Sequence, residues 1–322
     1  MTKVYTAYAP ASAANLSVGF DLLGAALRPV SGAVLGDRVS VCEDNSIDGC
    51  KVQTVGRFAH KLPEDFTKNI VYVAYNLYAR TLAEKGAKAK NLKMRLEKNL
   101  PVCSGLGSSA SSVVAAVAAL DAAHDDFLGR DGMLKLMGQL EGQISGSIHY
   151  DNVAPCFFGG LQLVTGFDSQ VSLTLRSFDS WLWVSCFPGI RVSTSKARAI
   201  LPAQYLRSDV ITFGRNLSAF VHACHTQDEK LACQCLYDVI AEPYRASLIP
   251  GFDKAREYGR AHGALATGIS GSGSSIFSIY TDMDKAREMK EYLERNFIDN
   301  EDGFCHICTI DKEGCTVTVS EE

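Results

Sequence analysis

The chain has 322 residues, room for two domains of ordinary size, and 47% of them are apolar, ample for buried cores. Its 32 basic and 36 acidic residues leave a net charge of -4, which excludes the electrostatic footprint of a nucleic-acid or anionic-lipid binder. No nucleic-acid or membrane partner is expected, and any anionic ligand needs a local site.

The opening Met-Thr-Lys-Val-Tyr lacks the apolar core of a signal peptide, so a cytoplasmic protein is expected. Residues 4–9 and 37–42 alternate as strands, separated by the turn signals Ser31-Gly32 and Leu35-Gly36. Residues 69–83 carry Val73, Leu77 and Leu82 near helical spacing. After an alternating run at 92–96, Pro101 opens a Gly/Ser-rich loop that leads into the alanine-rich run 110–123, an order of strand, loop and helix. Asp121 interrupts this run, which is far too short to span a membrane. Residues 133–144 read as a helix ended by Ser145-Gly146, and 157–164 and 181–187 read as strands. The polar stretch 165–170 is the best boundary, dividing the chain into 1–166 and 167–322. Helical patterns at 209–225, 230–240 and 252–262 then precede strands near 265–269 and 275–280. The eleven cysteines lack the spacing of a disulfide framework and read as reduced thiols. Cys305 and Cys308 form one C-x-x-C in a strand-like run, with no second pair to complete a zinc site.

The most informative segment is Pro101, Val102, Cys103, Ser104, Gly105, Leu106, Gly107, Ser108, Ser109, Ala110, Ser111 and Ser112. Glycines allow close backbone approach to a phosphate, serines supply hydroxyls and caps, and the following helix points its N–H groups and dipole at an anion. The plain alternative is a serine-capped helix after a turn. A Walker A loop is excluded because no lysine lies between Cys103 and Ala123. Gly105, Gly107 and Ala110 match a dinucleotide fingerprint literally, yet the helix runs into His124-Asp125-Asp126 where a second strand ending in an acid should follow. No G-x-S-x-G elbow of a serine hydrolase occurs.

Two further motifs turn this loop into a family resemblance. Residues 10–21, Pro-Ala-Ser-Ala-Ala-Asn-Leu-Ser-Val-Gly-Phe-Asp, and residues 268–273, Gly-Ile-Ser-Gly-Ser-Gly, flank it near the two ends of the chain. With them stand the block Glu141-Gly142-x-x-Ser145-Gly146-Ser147-x-His149-x-Asp151-Asn152, the spacing of Thr194, Arg198, Leu201 and Pro202, and Glu242-Pro243-Tyr244-Arg245. Together they resemble the GHMP kinases in their homoserine kinase form, over nearly the whole chain. Two departures stand out: Cys103 replaces a glycine, so the loop is expected to take torsions that a non-glycine residue tolerates, and Ser274 replaces a proline.

The resemblance implies an α+β fold, a ribosomal protein S5 domain 2-like N-terminal domain plus a ferredoxin-like C-terminal domain, with ATP between them. It implies transfer of the ATP γ-phosphate to the side-chain hydroxyl of L-homoserine, giving O-phospho-L-homoserine and ADP in threonine biosynthesis, with Mg2+ and in a homodimer. Residues 101–111 would hold the phosphates and Asn69 would face the adenine. Ser109 and Glu141 would ligate Mg2+, a hydroxyl and a hard carboxylate suited to that ion. Asp21 and Asp151 would take the amino end and the neighbourhood of the hydroxyl, while Arg198 and Arg245 would clamp the carboxylate. Asn15, His149, Thr194 and Gly271 would complete the acceptor shell. Asn152 stands where mevalonate kinases carry an aspartate; an amide cannot remove a proton, so it would orient the hydroxyl. The alternatives are a GHMP kinase for another small alcohol, or a non-catalytic ligand sensor on the same scaffold.

Overall fold

The computed structural model describes residues 2–146, 148–167 and 169–321. In chain order, the first half contains β1 (Lys3–Ala14), β2 (Leu23–Pro29), β3 (Gly36–Glu43), β4 (Cys50–Val55), α1 (Ile70–Glu84), β5 (Leu92–Glu97), α2 (Ser108–Ala123), α3 (Gly129–Ser145) and α4 (Val153–Phe158). The second half begins with β6 (Leu161–Phe167), β7 (Gln170–Leu175), β8 (Leu182–Phe187), α5 (Thr194–Ala199), α6 (Arg207–Thr226), α7 (Glu229–Cys235) and α8 (Glu242–Arg245). It ends with α9 (Phe252–Ala261), β9 (Ala266–Ile269), β10 (Ile276–Tyr280), α10 (Met283–Asn296), β11 (Phe304–Ile310) and β12 (Thr316–Glu321).

β1 joins two sheet layers. Its first part lies antiparallel between β3 and β12, with β5 and β4 continuing beyond β3, while residues 11–14 pair with β2. Every side chain of β1 from Ala9 onward is buried, as expected where a strand is covered on both faces. β2 passes the pairing to β11, and β8, β10 and β9 complete the second layer. Helices α1, α2 and α3 cover the first layer. Residues 113–120 of α2 are each at most 5% exposed, so this helix is apolar on all sides and belongs inside.

The second layer has a core on each face. Trp183, Phe277 and Cys308 point to the core shared with α6 and α7, whereas Val184, Ile276 and Cys305 point to the one under α9 and α10. Cys305 and Cys308 therefore face opposite ways from one strand. The expected division at 166 falls within the β6–β7 hairpin, and β12 returns to pair with β1. No helix among the described residues is long and apolar enough to cross a membrane.

Candidate active site

A cavity of about 560 Å3 opens where residues from both halves of the chain meet. On one side, the loop between β5 and α2 docks against the turn between β9 and β10. Ser270 Oγ donates to the Gly105 carbonyl at 2.6 Å, and the Ser275 N–H donates to the Ser104 carbonyl at 2.8 Å. A Cβ on Gly105 would stand 2.3 Å from the Ser270 carbonyl oxygen, and one on Gly107 would stand 2.0 Å from Ser12 Oγ. Protein contacts as well as any ligand thus demand glycine at these two positions. α2 begins at Ser108 and directs its first N–H groups, which have no intrahelical acceptor, toward the cavity end of the loop.

Beneath this loop lies an ion pair that sequence reading missed. Lys98 Nζ contacts Asp37 Oδ2 and donates to the Ser108 carbonyl and Ser112 Oγ, each at 2.9 Å. Asp37, fully buried, also accepts from the N–H groups of Asn99 at 2.8 Å and Leu100 at 3.0 Å. The pair fastens the entry of the loop to the first turn of α2. Its members are 61 residues apart, so only the β3–β5 pairing reveals them.

Ser109 and Glu141 meet at the cavity wall, where Ser109 hydrogen-bonds the Glu141 carboxyl. Burial raises the Glu141 pKa, and the Ser109 hydrogen bond and the Lys98 charge only partly offset it. A divalent cation would relieve that burial cost, and a hydroxyl with a carboxylate is a donor set that fits Mg2+. Among the described residues no cluster of three His, Cys, Asp or Glu side chains occurs. The remaining ligands of an ion here would come from water and phosphate oxygens.

The opposite end of the cavity is framed by the turn after β1. Asn15, Leu16 and Ser17 adopt left-handed backbone with φ of 70°, 51° and 55°, and Asp21 follows at 58°, conformations that persist only where surroundings over-determine them. Asn15 does so here: its Oδ1 accepts the Asp21 N–H at 3.0 Å, and its Nδ2 donates to the Gly271 carbonyl at 2.9 Å. The same carbonyl accepts Arg245 Nη1 at 3.0 Å, while Arg245 Nε donates to the Ala197 carbonyl at 3.0 Å. Arg198 forms a bidentate pair with Asp21, and His149 Nδ1 lies 3.9 Å from the same carboxylate. Burial pushes the Asp151 carboxyl up to about 7, helped by the neighbouring charges of Asp21 and Glu141. It also lowers the pKa of His149 and of Arg245.

Most residues singled out in the sequence line this one cavity: Asn15, Asp21, His149, Asp151, Asn152, Thr194, Arg198, Arg245 and Gly271 at the end framed by the turn after β1, and Val102, Cys103, Ser104, Gly105, Gly107, Ser108, Ser109, Ala110 and Glu141 along the loop side. Ser147 of the same block lies outside the described residues. Pro101, Leu106 and Ser111 do not line it. Leu106 packs into a core, and Ser111 Oγ is buried between the Ala9 carbonyl and the Asp37 N–H. Asn69 lines the cavity but uses its Oδ1 to cap α1 at the Val71 N–H and its Nδ2 on Thr54 Oγ1. Cys103 corrects the expectation for the loop: its φ is 58°, so it keeps a glycine-like left-handed conformation. Ser274, at the other departure, is fully buried with its Oγ on the Ile190 carbonyl.

The chain as a whole is similar to known proteins. Residues 69–160 match the family described as GHMP kinases N terminal domain, and residues 220–299 match GHMP kinases C terminal. The structure of a homoserine kinase from Cytophaga hutchinsonii is 31% identical to this chain, with a TM-score of 0.87 over 98% of this chain and 97% of that one. The chain belongs to the GHMP kinase family, whose members use ATP, generally with Mg2+. Its α+β architecture is the fold of that family. A putative homoserine kinase from Listeria monocytogenes shares the fold at 19% identity, with a TM-score of 0.69 over 98% of this chain and 99% of that one. So does the L. major mevalonate kinase in complex with R-mevalonate, at 17% identity and a TM-score of 0.65 over 94% of each chain.

Proposed function

We propose that this kinase transfers the γ-phosphoryl group of ATP to the side-chain hydroxyl of L-homoserine, releasing O-phospho-L-homoserine and ADP. The observation that carries the reading is the acceptor end of the cavity, where the Asp21–Arg198 pair stands beside the buried Arg245. A zwitterionic amino acid offers an ammonium to Asp21 and a carboxylate to the two guanidinium groups, and charge-assisted hydrogen bonds of this kind are the strong ones. An acceptor without an amino group would leave one sign of that charge unanswered, and a neutral sugar both. The relative that is 31% identical is itself described as a homoserine kinase.

Phosphoryl transfer asks mainly for positioning and for charge stabilisation. The phosphate chain of ATP would lie against the loop 101–109 and the start of α2, with Lys98 and Asp37 keeping that loop in place. Ser109 and Glu141 would hold Mg2+, which would supply charge stabilisation for the transferred group. Ser12 Oγ donates to Asn152 Oδ1 at 2.8 Å, leaving the amide NH2 to orient the acceptor hydroxyl. Because an amide takes no proton at neutral pH, the hydroxyl proton leaves late, to the phosphate or to solvent.

A coupled assay of ADP release, with purified protein, ATP and Mg2+ and each of L-homoserine, mevalonate, galactose and shikimate, tests the reading. Fastest turnover with L-homoserine is expected. Equal or faster turnover of mevalonate would contradict it.

A further inference from the structure

Phe20 is a half-buried aromatic side chain. Among the described residues it lies outside the three apolar cores and does not line the cavity. Among the described residues its ring is met by two cations: the Arg245 guanidinium lies 5.1 Å from the ring centroid and that of Arg198 lies 5.8 Å away. Both distances fall within the reach of a cation–π contact. Phe20 also sits immediately before Asp21, which takes both Nη groups of Arg198, and within the turn that Asn15 pins to the Gly271 carbonyl shared with Arg245.

We propose that Phe20 is a positioning residue for acceptor recognition, a shared aromatic platform that aims Arg198 and Arg245 at the carboxylate of the substrate. Two guanidinium groups brought to one site repel each other, and the negative face of the ring beside the Asp21 carboxylate lowers that cost. Arginine side chains are long and have many rotamers, so fixing both against one ring removes freedom that substrate binding would otherwise have to remove. Arg245 has the greater need: it is 3% exposed, and among the described residues its hydrogen bonds go to two backbone carbonyls, with the ring as its third contact. The ring acts through the arginines, and its effect is confined to acceptors that carry a carboxylate. This inference rests on the amino-acid acceptor reading given above.

The experiment compares Phe20→Leu and Phe20→Tyr with the unmodified protein, using L-homoserine and the amino alcohol of the same skeleton that lacks the carboxylate. Leucine keeps the bulk and removes the π face, so KM for L-homoserine should rise about 5- to 30-fold. KM for ATP and for the amino alcohol should stay where they are, and tyrosine, which keeps the ring, should restore the KM for L-homoserine. If the leucine variant does not fold, Phe20→Met carries the same comparison. An unchanged KM for L-homoserine, or an equal rise for both acceptors, would overturn the platform while leaving the acceptor reading intact. Absence of L-homoserine turnover in the unmodified protein would overturn the acceptor reading and the platform with it.

Discussion

Arg198 holds Asp21 by both carboxylate oxygens, with Nη1 to Oδ2 at 3.0 Å and Nη2 to Oδ1 at 2.9 Å. Among the described residues, one of the two cations here is thus balanced by a carboxylate, whereas the other, Arg245, donates to the Ala197 and Gly271 carbonyls. On the proposed function, an incoming zwitterion would replace part of the first interaction and offer a carboxylate to the second. Both arginines would then be required, for different reasons.

Replacing either Arg198 or Arg245 by leucine should raise KM for L-homoserine; truncating one partner of a buried charged hydrogen bond costs about 2–5 kcal/mol, tens to thousands of fold, a scale that applies to the buried Arg245 and is an upper bound for the half-buried Arg198. KM for ATP should hardly move, since neither side chain lies on the phosphate loop. Steady-state kinetics with the amino alcohol provide the control: the leucine variants should handle it nearly as well as the unmodified protein does. A constant penalty for losing the carboxylate in all three proteins would remove both arginines from acceptor binding.

Glu141→Gln should lower kcat by about two to three orders of magnitude, the scale of losing one electrostatic group that serves the transition state. Affinity for L-homoserine should change little. Turnover measured across a Mg2+ titration checks this, and a near-normal kcat at saturating Mg2+ would show that the carboxylate serves another purpose.

Asp151 gives a pH dependence of defined sign. Its folded pKa of about 7 lies above the ordinary 3.8, so the folded state binds more protons than the unfolded state between these values. Stability from this group is complete below about pH 4 and is lost as pH rises through 7, because ionising the buried carboxyl is costly. Asp151→Asn should raise the unfolding temperature at pH 8 and change it little at pH 4. Thermal unfolding at the two pH values decides the matter, and equal effects at both would mean the carboxyl is not titrating there.

Cys103→Gly should stabilise the protein. A side chain held at φ 58° costs about 1–2 kcal/mol, and the extra chain entropy that glycine loses on folding returns about 0.5–1 kcal/mol of that. The net gain is up to about 1.5 kcal/mol, which in a chain of this length calorimetry should show as an upward shift of up to about 2 °C. A lower unfolding temperature would mean that packing of the thiol outweighs backbone strain.

Much of this architecture was legible from period and punctuation. The alternating residues of β5 and the helical spacing in α1, α6 and α9 lie close to where sequence reading puts them. Errors have local physical causes. Residues 157–164 read as one strand, but Phe157 and Phe158 end α4, and Gly159 and Gly160, with φ of 73° and 70°, break the chain before β6. The helix expected to run to 240 stops at Cys235, because Asp238 caps the next turn by accepting the N–H groups of Ile240, Ala241 and Glu242. β2 went unseen because Leu23, Gly24, Ala25 and Ala26 are all buried and show no alternation. α10 had a readable signal in Asp282 as its cap and in Ala286, Met289 and Leu293 along one face.

At the site, short motifs of glycines, serines and paired charges pointed to most residues that line the cavity. What stayed hidden depends on distance in sequence. The Lys98–Asp37 pair and the contact of Phe20 with Arg198 and Arg245 exist only once remote strands and turns have come together. Pro101, Leu106 and Ser111, expected to face the phosphates, do not line the cavity; Leu106 and Ser111 turn inward to build the loop.

The central claim is the identity of the phosphorylated product. Phosphorus NMR of a reaction containing the protein, ATP, Mg2+ and L-homoserine should show a new phosphomonoester signal, coupled to the γ-methylene protons of homoserine and growing one for one with ADP. ADP formed without that ester, or no ADP formed under conditions where mevalonate is phosphorylated, would contradict the account.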